Sequence, residues 1–200
     1  MIKEKIDKII EEYKTIKLEK VTGTGFLNIE KYKCYLNNNR IITREKITKN
    51  NRDGSAAMVL PLTTDNKVIV VVEPRVFTDT TVSVDVPAGY IEEDETGEEA
   101  AKRELQEETG YTTNDIKFLG KFYQDHGISA ACNQYYLALN CKKKSKQKLD
   151  EEECVKQLEI TVEELFYLLD NGYIKSLNTA YLIEKCRPYL ERINKWKIYK

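Results

Sequence analysis

Two short apolar runs in the middle of the chain place the strongest limit on its fold. They cover residues 56–60 and 68–72, and a polar stretch at residues 63–66 joins them. Neither run alternates between apolar and polar residues, which is typical of strands that are buried on both faces. We therefore expect these two strands to form the core of the main sheet in an α/β domain, with helices packed on a mostly β core.

A separate front piece precedes this core. Apolar residues recur at helical spacing from Ile2 to Tyr13, and residues 31–36 and 40–48 indicate a hairpin around an asparagine turn at residues 37–39. We divide the chain into an N-terminal helix and hairpin, residues 1–48, and a main domain, residues 49–200. The other predicted strands are 84–86, 116–123, 134–139 and 158–160, and the other predicted helices are 97–109, 162–169 and 181–193.

Composition narrows the possible functions. Lys and Arg total 32 against 33 for Asp and Glu, so the net charge of -1 gives no overall attraction to nucleic acid or to an anionic membrane. No apolar run approaches the ~18 residues of a spanning helix, and acidic residues near the start argue against a signal peptide. The five cysteines are odd in number and form no C-x-x-C pair, which favours reduced thiols. We expect a cytoplasmic protein with no membrane or nucleic-acid partner.

An acidic segment follows the apolar runs. Residues 92–108 contain nine carboxylates but only two basic residues. Thr96 followed three residues later by Glu99 is a capping box, and Gly110 suits a left-handed C-cap. These signals predict a helix over residues 97–109.

Three of the carboxylates share one face of this helix. Glu104, Glu107 and Glu108 recur at spacings of three and four residues, so they repel one another. A divalent cation would turn that repulsion into binding, and carboxylate oxygens suit Mg²⁺ or Mn²⁺. Because Mg²⁺ commonly joins carboxylates to substrate phosphates, the substrate is expected to be phosphorylated. Glu95 lies eight residues before Arg103 and is expected to hold its guanidinium in a bidentate pair.

The full pattern resembles that of a known family. The chain runs Gly89, five residues, Glu95, seven residues and then Arg103-Glu104-Leu105-Gln106-Glu107-Glu108-Thr109-Gly110-Tyr111, which resembles the Nudix box G-x5-E-x7-R-E-U-x-E-E-x-G-U with U a bulky apolar residue. Every fixed position matches, so a merely solvated acidic helix face is a poor account of the segment. The resemblance to Nudix hydrolases covers residues 41–193 and is strongest to the ADP-ribose pyrophosphatase branch. It implies an α/β/α sandwich around a mixed β-sheet.

The resemblance also implies an activity and a set of residues for it. The reaction is hydrolysis of the diphosphate that joins a nucleoside to another group, which for ADP-ribose gives AMP and ribose 5-phosphate. Gly89 would let the backbone approach the metal ions. The implied metal ligands are Glu104, Glu107 and Glu108 with the carbonyl of Ala88, and the implied catalytic set is these three glutamates with Arg103 and Glu95.

Further residues are candidates for binding the substrate. Arg75 lies where the branch often carries an arginine that contacts the substrate, although a surface salt bridge is an equal alternative. Arg44 resembles an arginine that the branch supplies from a neighbouring subunit, which predicts a homodimer built by the N-terminal hairpin. Tyr123 and Tyr135 are the best of the tyrosines for stacking on a base.

The catalytic base and the substrate stay open at this stage. The branch commonly places a glutamate after the glycine of the loop that follows the box, whereas no acid follows Gly127 here. Asp125, His126 or a box glutamate, Glu104 or Glu107, could serve instead, and we favour the box. The alternative functions are a Nudix hydrolase of nucleoside triphosphates, dinucleoside polyphosphates or capped RNA, and a non-catalytic nucleotide sensor, which would usually have a degraded box.

Overall fold

The computed structural model describes residues 1–17, 19, 25–37 and 39–198, with side chains described to residue 194. Asn38 of the predicted hairpin turn lies outside these residues, and Asn39 has the positive φ of 59° expected for such a turn. Among the described helices, none is long and apolar enough to span a membrane. The helices are α1 (Ile2–Tyr13), α2 (Gly97–Thr109), α3 (Val162–Asp170) and α4 (Leu177–Ile198).

The strands form two sheets. The first two strands pair with each other as an antiparallel hairpin, and the remaining eight belong to the main sheet. The strands are β1 (Leu27–Tyr35), β2 (Ile41–Lys49), β3 (Ala56–Thr63), β4 (Val68–Pro74), β5 (Val82–Asp85), β6 (Ala88–Tyr90), β7 (Tyr111–Thr112), β8 (Asp115–Tyr123), β9 (Cys132–Lys143) and β10 (Lys156–Ile160).

The main sheet is mixed and opens at its centre. Its path runs β10-β4-β3-β9-β7, with β3 parallel to β9 and the other described pairs antiparallel. β3 and β4 are in register at Leu62 and Val68, beside the turn that joins them. Farther from the turn β4 pairs with β5, whereas β3 pairs with β6. This divergence places four strand segments around one opening in the sheet.

Helices cover both faces of the sheet. Val68, Val70 and Val72 of β4 pack in one cluster with buried residues of α1, α3 and α4. Ile69 points to the opposite face and packs with Ala100 and other residues of α2. Because successive strand residues point to opposite faces, the unbroken apolar run is what allows β4 to be covered on both sides. The predicted α/β/α sandwich is confirmed.

The front piece is joined to the domain in two different ways. The buried side of α1 belongs to the same core cluster as the main sheet. The hairpin, in contrast, contacts the main domain near the end of β2, where the Ile47 amide donates to the Ile128 carbonyl at 2.7 Å and the Lys49 ammonium lies 5.2 Å from the centroid of the Tyr90 ring. Several of its apolar residues are exposed, including Ile29 at 70% and Ile41 at 60%. The domain boundary at residues 48 and 49 stays a prediction.

Candidate active site

The acidic helix begins and ends where its sequence predicts. The Thr96 hydroxyl accepts a hydrogen bond from the Glu99 amide at 3.3 Å, and the Glu99 carboxylate accepts one from the Thr96 amide at 2.8 Å. Gly110 adopts a φ of 74° and donates its N–H to the Gln106 carbonyl at 2.7 Å. Both caps satisfy backbone groups that the helix itself leaves unpaired, so they fix its ends.

Arg103 connects this helix to the loop before it. Its Nε and Nη2 atoms donate to the two oxygens of Glu95 at 2.9 and 3.1 Å, which is the predicted bidentate pair. Nη2 also donates to the Tyr90 carbonyl at 3.0 Å. On the helix itself, Nη1 donates to Glu104 at 2.6 Å and to Glu107 at 3.1 Å. The hydrogen bonds from Arg103 lower the pKa of Glu95, so this carboxylate is ionised at neutral pH.

Two carboxylates of the helix are buried one turn apart. The exposed fraction is 7% for Glu104 and 4% for Glu108. Burial raises the pKa of Glu104, and burial together with the charge of Glu104 raises that of Glu108 well above its usual value. Glu108 accepts a hydrogen bond from the Ala88 amide at 3.2 Å. A Cβ atom at Gly89 would overlap the Glu104 carboxylate, so only glycine lets the strand approach this closely.

These carboxylates suit a divalent cation in chemistry, although their arrangement is not that of a complete metal site. In the described part of the chain, no three His, Cys, Asp or Glu side chains converge closely enough to hold a metal ion. Arg103 binds the carboxylates of Glu104 and Glu107, whereas Glu108 makes no ion pair with a described residue. A buried carboxylate of raised pKa without a cationic partner is a candidate for binding a hard cation.

A cavity of about 660 Å³ lies beside this helix, in the opening between β3 and β4. Of the residues implied by the family resemblance, Ala88, Gly89, Glu108 and Arg75 line it. Arg44 and Tyr123 are exposed and lie outside its lining, so the structure brings neither to the other site residues within one chain. Sequence reasoning assigned no role to several other residues that line the cavity, namely Glu73, Ser83, Asp85, Glu152, Glu153 and Asn178.

Arg75 forms the predicted salt bridge and also lies in the cavity lining, while its contact with a substrate stays a prediction. Its Nη2 donates to Glu73 at 2.6 Å in an ion pair, and it also lines the cavity. Glu73 lies at the end of β4, and burial raises its pKa to about 7. The strand pattern around residue 73 showed a break in an apolar run, but nothing in it distinguished a buried acid from an exposed one.

Tyr135 is not available to stack on a base, so that prediction is wrong. Its side chain is buried, with 3% of the residue exposed, and its hydroxyl donates to Asn178 at 2.7 Å. The rings of Phe122 and Tyr181 lie against it, with centroids 6.0 and 5.0 Å away. Both faces of β9 are covered at this point, since Tyr135 and the next residue, Tyr136, are buried in different core clusters.

Two loops carry further candidates for the catalytic base, one with Asp125 and His126 and the other with Glu153. Asp125 and His126 are exposed and do not line the cavity, and the Asp125 carboxylate accepts a hydrogen bond from the Gly127 amide within its own turn. Glu153 lines the cavity, and its charge adds to the effect of burial in raising the pKa of both Glu104 and Glu108. Glu153 and Glu108 therefore line the same cavity.

The sandwich, the capped box helix and its buried carboxylates define the class of protein as a Nudix-type hydrolase. Comparison with known proteins agrees: a family model described as the NUDIX domain matches residues 52–179. The chain belongs to the Nudix family and is a Nudix hydrolase.

Individual relatives extend the comparison over most of the chain. ADP-ribose pyrophosphatase of Bacillus subtilis (strain 168) is 32% identical over 174 residues, which covers 86% of this chain and 91% of that protein. Methanol dehydrogenase activator of Bacillus methanolicus is 29% identical over 178 residues, covering 88% and 93%. A crystal structure described as an ADP compounds hydrolase has the same fold, with a TM-score of 0.71 at 24% identity over 86% of this chain and 91% of that one.

Proposed function

We propose that the protein hydrolyses the diphosphate of a nucleoside diphosphate linked to a sugar, with ADP-ribose giving AMP and ribose 5-phosphate. The observation that carries the proposal is the buried pair of Glu104 and Glu108, of which Glu108 lines a cavity large enough for a nucleotide. The similarity to the Bacillus subtilis ADP-ribose pyrophosphatase supports this choice of substrate.

The proposal includes Mg²⁺ or Mn²⁺ as the cofactor. Glu104, Glu107, Glu108 and the Ala88 carbonyl would supply hard oxygen ligands to the cation, and its binding would draw together three carboxylates that do not converge without it. Such a cation, when bound, neutralises charge on the phosphoryl oxygens and lowers the pKa of a water nucleophile. Arg75 would contact the substrate phosphates from the cavity wall, since its guanidinium can bind phosphate oxygens in a bidentate manner.

The structure adds Glu153 to the candidates for the catalytic base. Arg103 binds one carboxylate oxygen of each of Glu104 and Glu107, and both residues are proposed as metal ligands through the other. Glu153 lines the cavity and makes no ion pair with a described residue, and its carboxylate accepts one hydrogen bond, from the Asp150 amide at 3.0 Å. We therefore favour Glu153 over the box glutamates as the group that takes the proton from water.

Replacing Glu153 tests this assignment. Glu153→Gln should lower kcat by about 10²-fold or more, because the loss of a general base typically lowers the rate by 10²–10⁴. Asp125→Asn and His126→Ala should each keep more than about a tenth of the wild-type kcat. Glu151→Gln is the matched control, since it removes an exposed charge of the same loop that does not line the cavity. Steady-state kinetics at saturating metal would measure the effect. Full activity of Glu153→Gln would return the role to the box, and a large loss in Asp125→Asn or His126→Ala would place it in their loop.

We also propose a homodimer built by the hairpin. Apolar side chains are exposed along β1 and β2, and a two-stranded hairpin is marginally stable alone. We expect light scattering to give the mass of a dimer at micromolar concentration, and Ile29→Asp with Ile41→Asp to give a folded monomer. A wild-type protein that is a stable monomer would contradict the dimer and the contribution of Arg44 to a neighbouring subunit.

A panel of substrates tests the function itself. ADP-ribose, ATP, a dinucleoside polyphosphate and a capped RNA would be compared for hydrolysis, each with and without Mg²⁺ or Mn²⁺. We expect the highest kcat/KM for ADP-ribose and no turnover in a chelator. Faster hydrolysis of another member of the panel would identify one of the alternative substrates, and binding of ADP-ribose without any hydrolysis would indicate a sensor.

A further inference from the structure

A buried hydroxyl in the cavity wall has no partner within the protein. Ser83 is 2% exposed, and its Oγ makes no hydrogen bond to a described residue. Its neighbours Val82 and Val84 pack in the core cluster. Because side chains alternate along a strand, Ser83 and Asp85 project from the opposite face of β5, where both line the cavity. A buried hydroxyl without a hydrogen-bond partner lowers the free energy of unfolding. Because this hydroxyl lies in the wall of a cavity, its position indicates that a ligand supplies the missing partner.

A second polar group beside it is held in a fixed orientation. Asn178 at the start of α4 accepts two hydrogen bonds on its Oδ1, from the Tyr135 hydroxyl at 2.7 Å and from Asn133 Nδ2 at 3.3 Å. Because both hydrogen bonds use Oδ1, the Nδ2 of the same amide stays available as a donor. The next residue of α4, Thr179, donates its hydroxyl to Asp85 at 2.6 Å, which joins this helix to the same wall.

The charges around Ser83 indicate what kind of group would bind there. Glu73 is the register partner of Ser83 on the neighbouring strand, and Asp85 lies two residues along β5. Carboxylates disfavour a phosphate but accept hydrogen bonds from hydroxyl groups. Arg75 and Thr179 each bind one oxygen of these carboxylates, so the other oxygens of Glu73 and Asp85 are the acceptors that the cavity wall offers. Asn178 adds a donor, and the Ser83 hydroxyl can donate or accept. A neutral group that both donates and accepts hydrogen bonds, such as the hydroxyls of a sugar, matches this set.

We infer that Ser83, Asp85 and Asn178 form a subsite for the hydroxyl groups of a ribose of the substrate. The inference rests on the proposed function, because it names the part of a nucleoside diphosphate sugar that this wall would select. ADP-ribose carries two ribose units, one in each of its products, and either unit has the required chemistry. Ser83 in this role is a specificity-determining residue, and the phosphates would lie toward Arg75 and the box helix.

Binding of the two products to Ser83→Ala tests the subsite without turnover. Calorimetric titrations in a chelator would use ribose 5-phosphate, AMP and inorganic phosphate as the probes. The Kd of one sugar phosphate should rise by about fivefold or more, as for the loss of one hydrogen bond, while that of inorganic phosphate stays the same. The product that loses affinity identifies which ribose is bound.

Thr48→Val is a matched control, because Thr48 carries the other buried hydroxyl without a partner and does not line the cavity. Both variants should keep or raise the Tm of the free protein, and Thr48→Val should bind all three probes like the wild type. Unchanged affinity of Ser83→Ala for both sugar phosphates, an equal loss for inorganic phosphate, or no binding of either product by the wild type would each overturn the subsite. These outcomes are separate from a failure to hydrolyse ADP-ribose, which would count against the proposed function alone.

Discussion

Glu108→Gln should lower kcat by at least ~10³ while leaving the fold intact, because one lost metal ligand removes several kcal/mol of transition-state charge stabilisation. Glu108 is the most deeply buried carboxylate of the box helix, and the Ala88 amide holds one of its oxygens. Glutamine keeps the size of the side chain and its carbonyl can still accept that hydrogen bond. The change therefore removes the charge alone, and steady-state kinetics in Mg²⁺ would measure the loss.

The same variant should be more stable than the wild type when metal is absent. Burial raises the pKa of Glu108, so the folded protein holds a proton that the unfolded chain releases above pH 4.5. Glu108 thus stabilises the folded wild type at acidic pH. This contribution is lost as the pH rises from 4.5 toward the raised pKa of the folded state. Glutamine does not titrate, so we expect its advantage in Tm to grow with pH, reaching a few degrees, about 1 kcal/mol, near neutral pH.

When metal is added, the wild type should become more stable than Glu108→Gln. A cation that binds the folded state raises Tm by mass action, and Glu108→Gln should lose most of this increase. Glu98→Gln is the matched control, since Glu98 lies on the exposed face of the same helix and pairs with Lys102 at 2.6 Å. Normal turnover of Glu108→Gln in Mg²⁺, or an equal metal-induced rise in its Tm, would remove the helix as the metal site.

Much of this site could be predicted because its information is local. The ends of the helix depend on Thr96, Glu99 and Gly110, and the pair between Glu95 and Arg103 depends on a spacing within one loop and helix. Each of these contacts joins residues fewer than ten positions apart. Hydrogen-bond geometry over so short a distance is largely set by helix and turn conformation, so the residue types alone indicate the contact.

The remainder of the cavity depends on contacts between distant parts of the chain. Ser83 faces Glu73 because two strands pair, and Asn178 meets Tyr135 across 43 residues of sequence. Tyr135 was misplaced for the same reason: β9 is covered on both faces by helices from distant parts of the chain, which the local sequence around residue 135 does not indicate. The short strands β6 and β7 were missed because segments of three and two residues carry no periodicity.

Arg103→Ala should destabilise the protein by about 3 kcal/mol, the lower end of the range for breaking a buried ion pair, and should also reduce activity. The guanidinium binds Glu95, Glu104, Glu107 and the Tyr90 carbonyl, and alanine would leave all four without this donor. Its side chain is 26% exposed, which is why the lower end applies. In a domain of this size we expect a fall in Tm of about 6–12 °C, measured by thermal unfolding.

The effect of Arg103→Ala should depend on pH in a defined direction. Hydrogen bonds from Arg103 lower the pKa of Glu95, and they oppose the effect of burial that raises the pKa of Glu104. Glu95 therefore stabilises the folded wild type above pH 4.5, and this contribution is lost as the pH falls. In the variant, Glu104 has lost its cationic partner, so its burial lowers the free energy of unfolding more as the pH rises. Both effects make the difference in stability between wild type and variant larger at neutral than at acidic pH.

Lys102→Ala provides the comparison for Arg103→Ala, since it removes a neighbouring cation whose partner Glu98 is exposed. Exposed pairs contribute about 0–1 kcal/mol, so its Tm should change little. Arg103→Lys should recover only part of the loss, because an ammonium group cannot bind both oxygens of Glu95 and the Tyr90 carbonyl in the same plane. If Arg103→Ala melts at the wild-type temperature, the bidentate pair does not hold the loop.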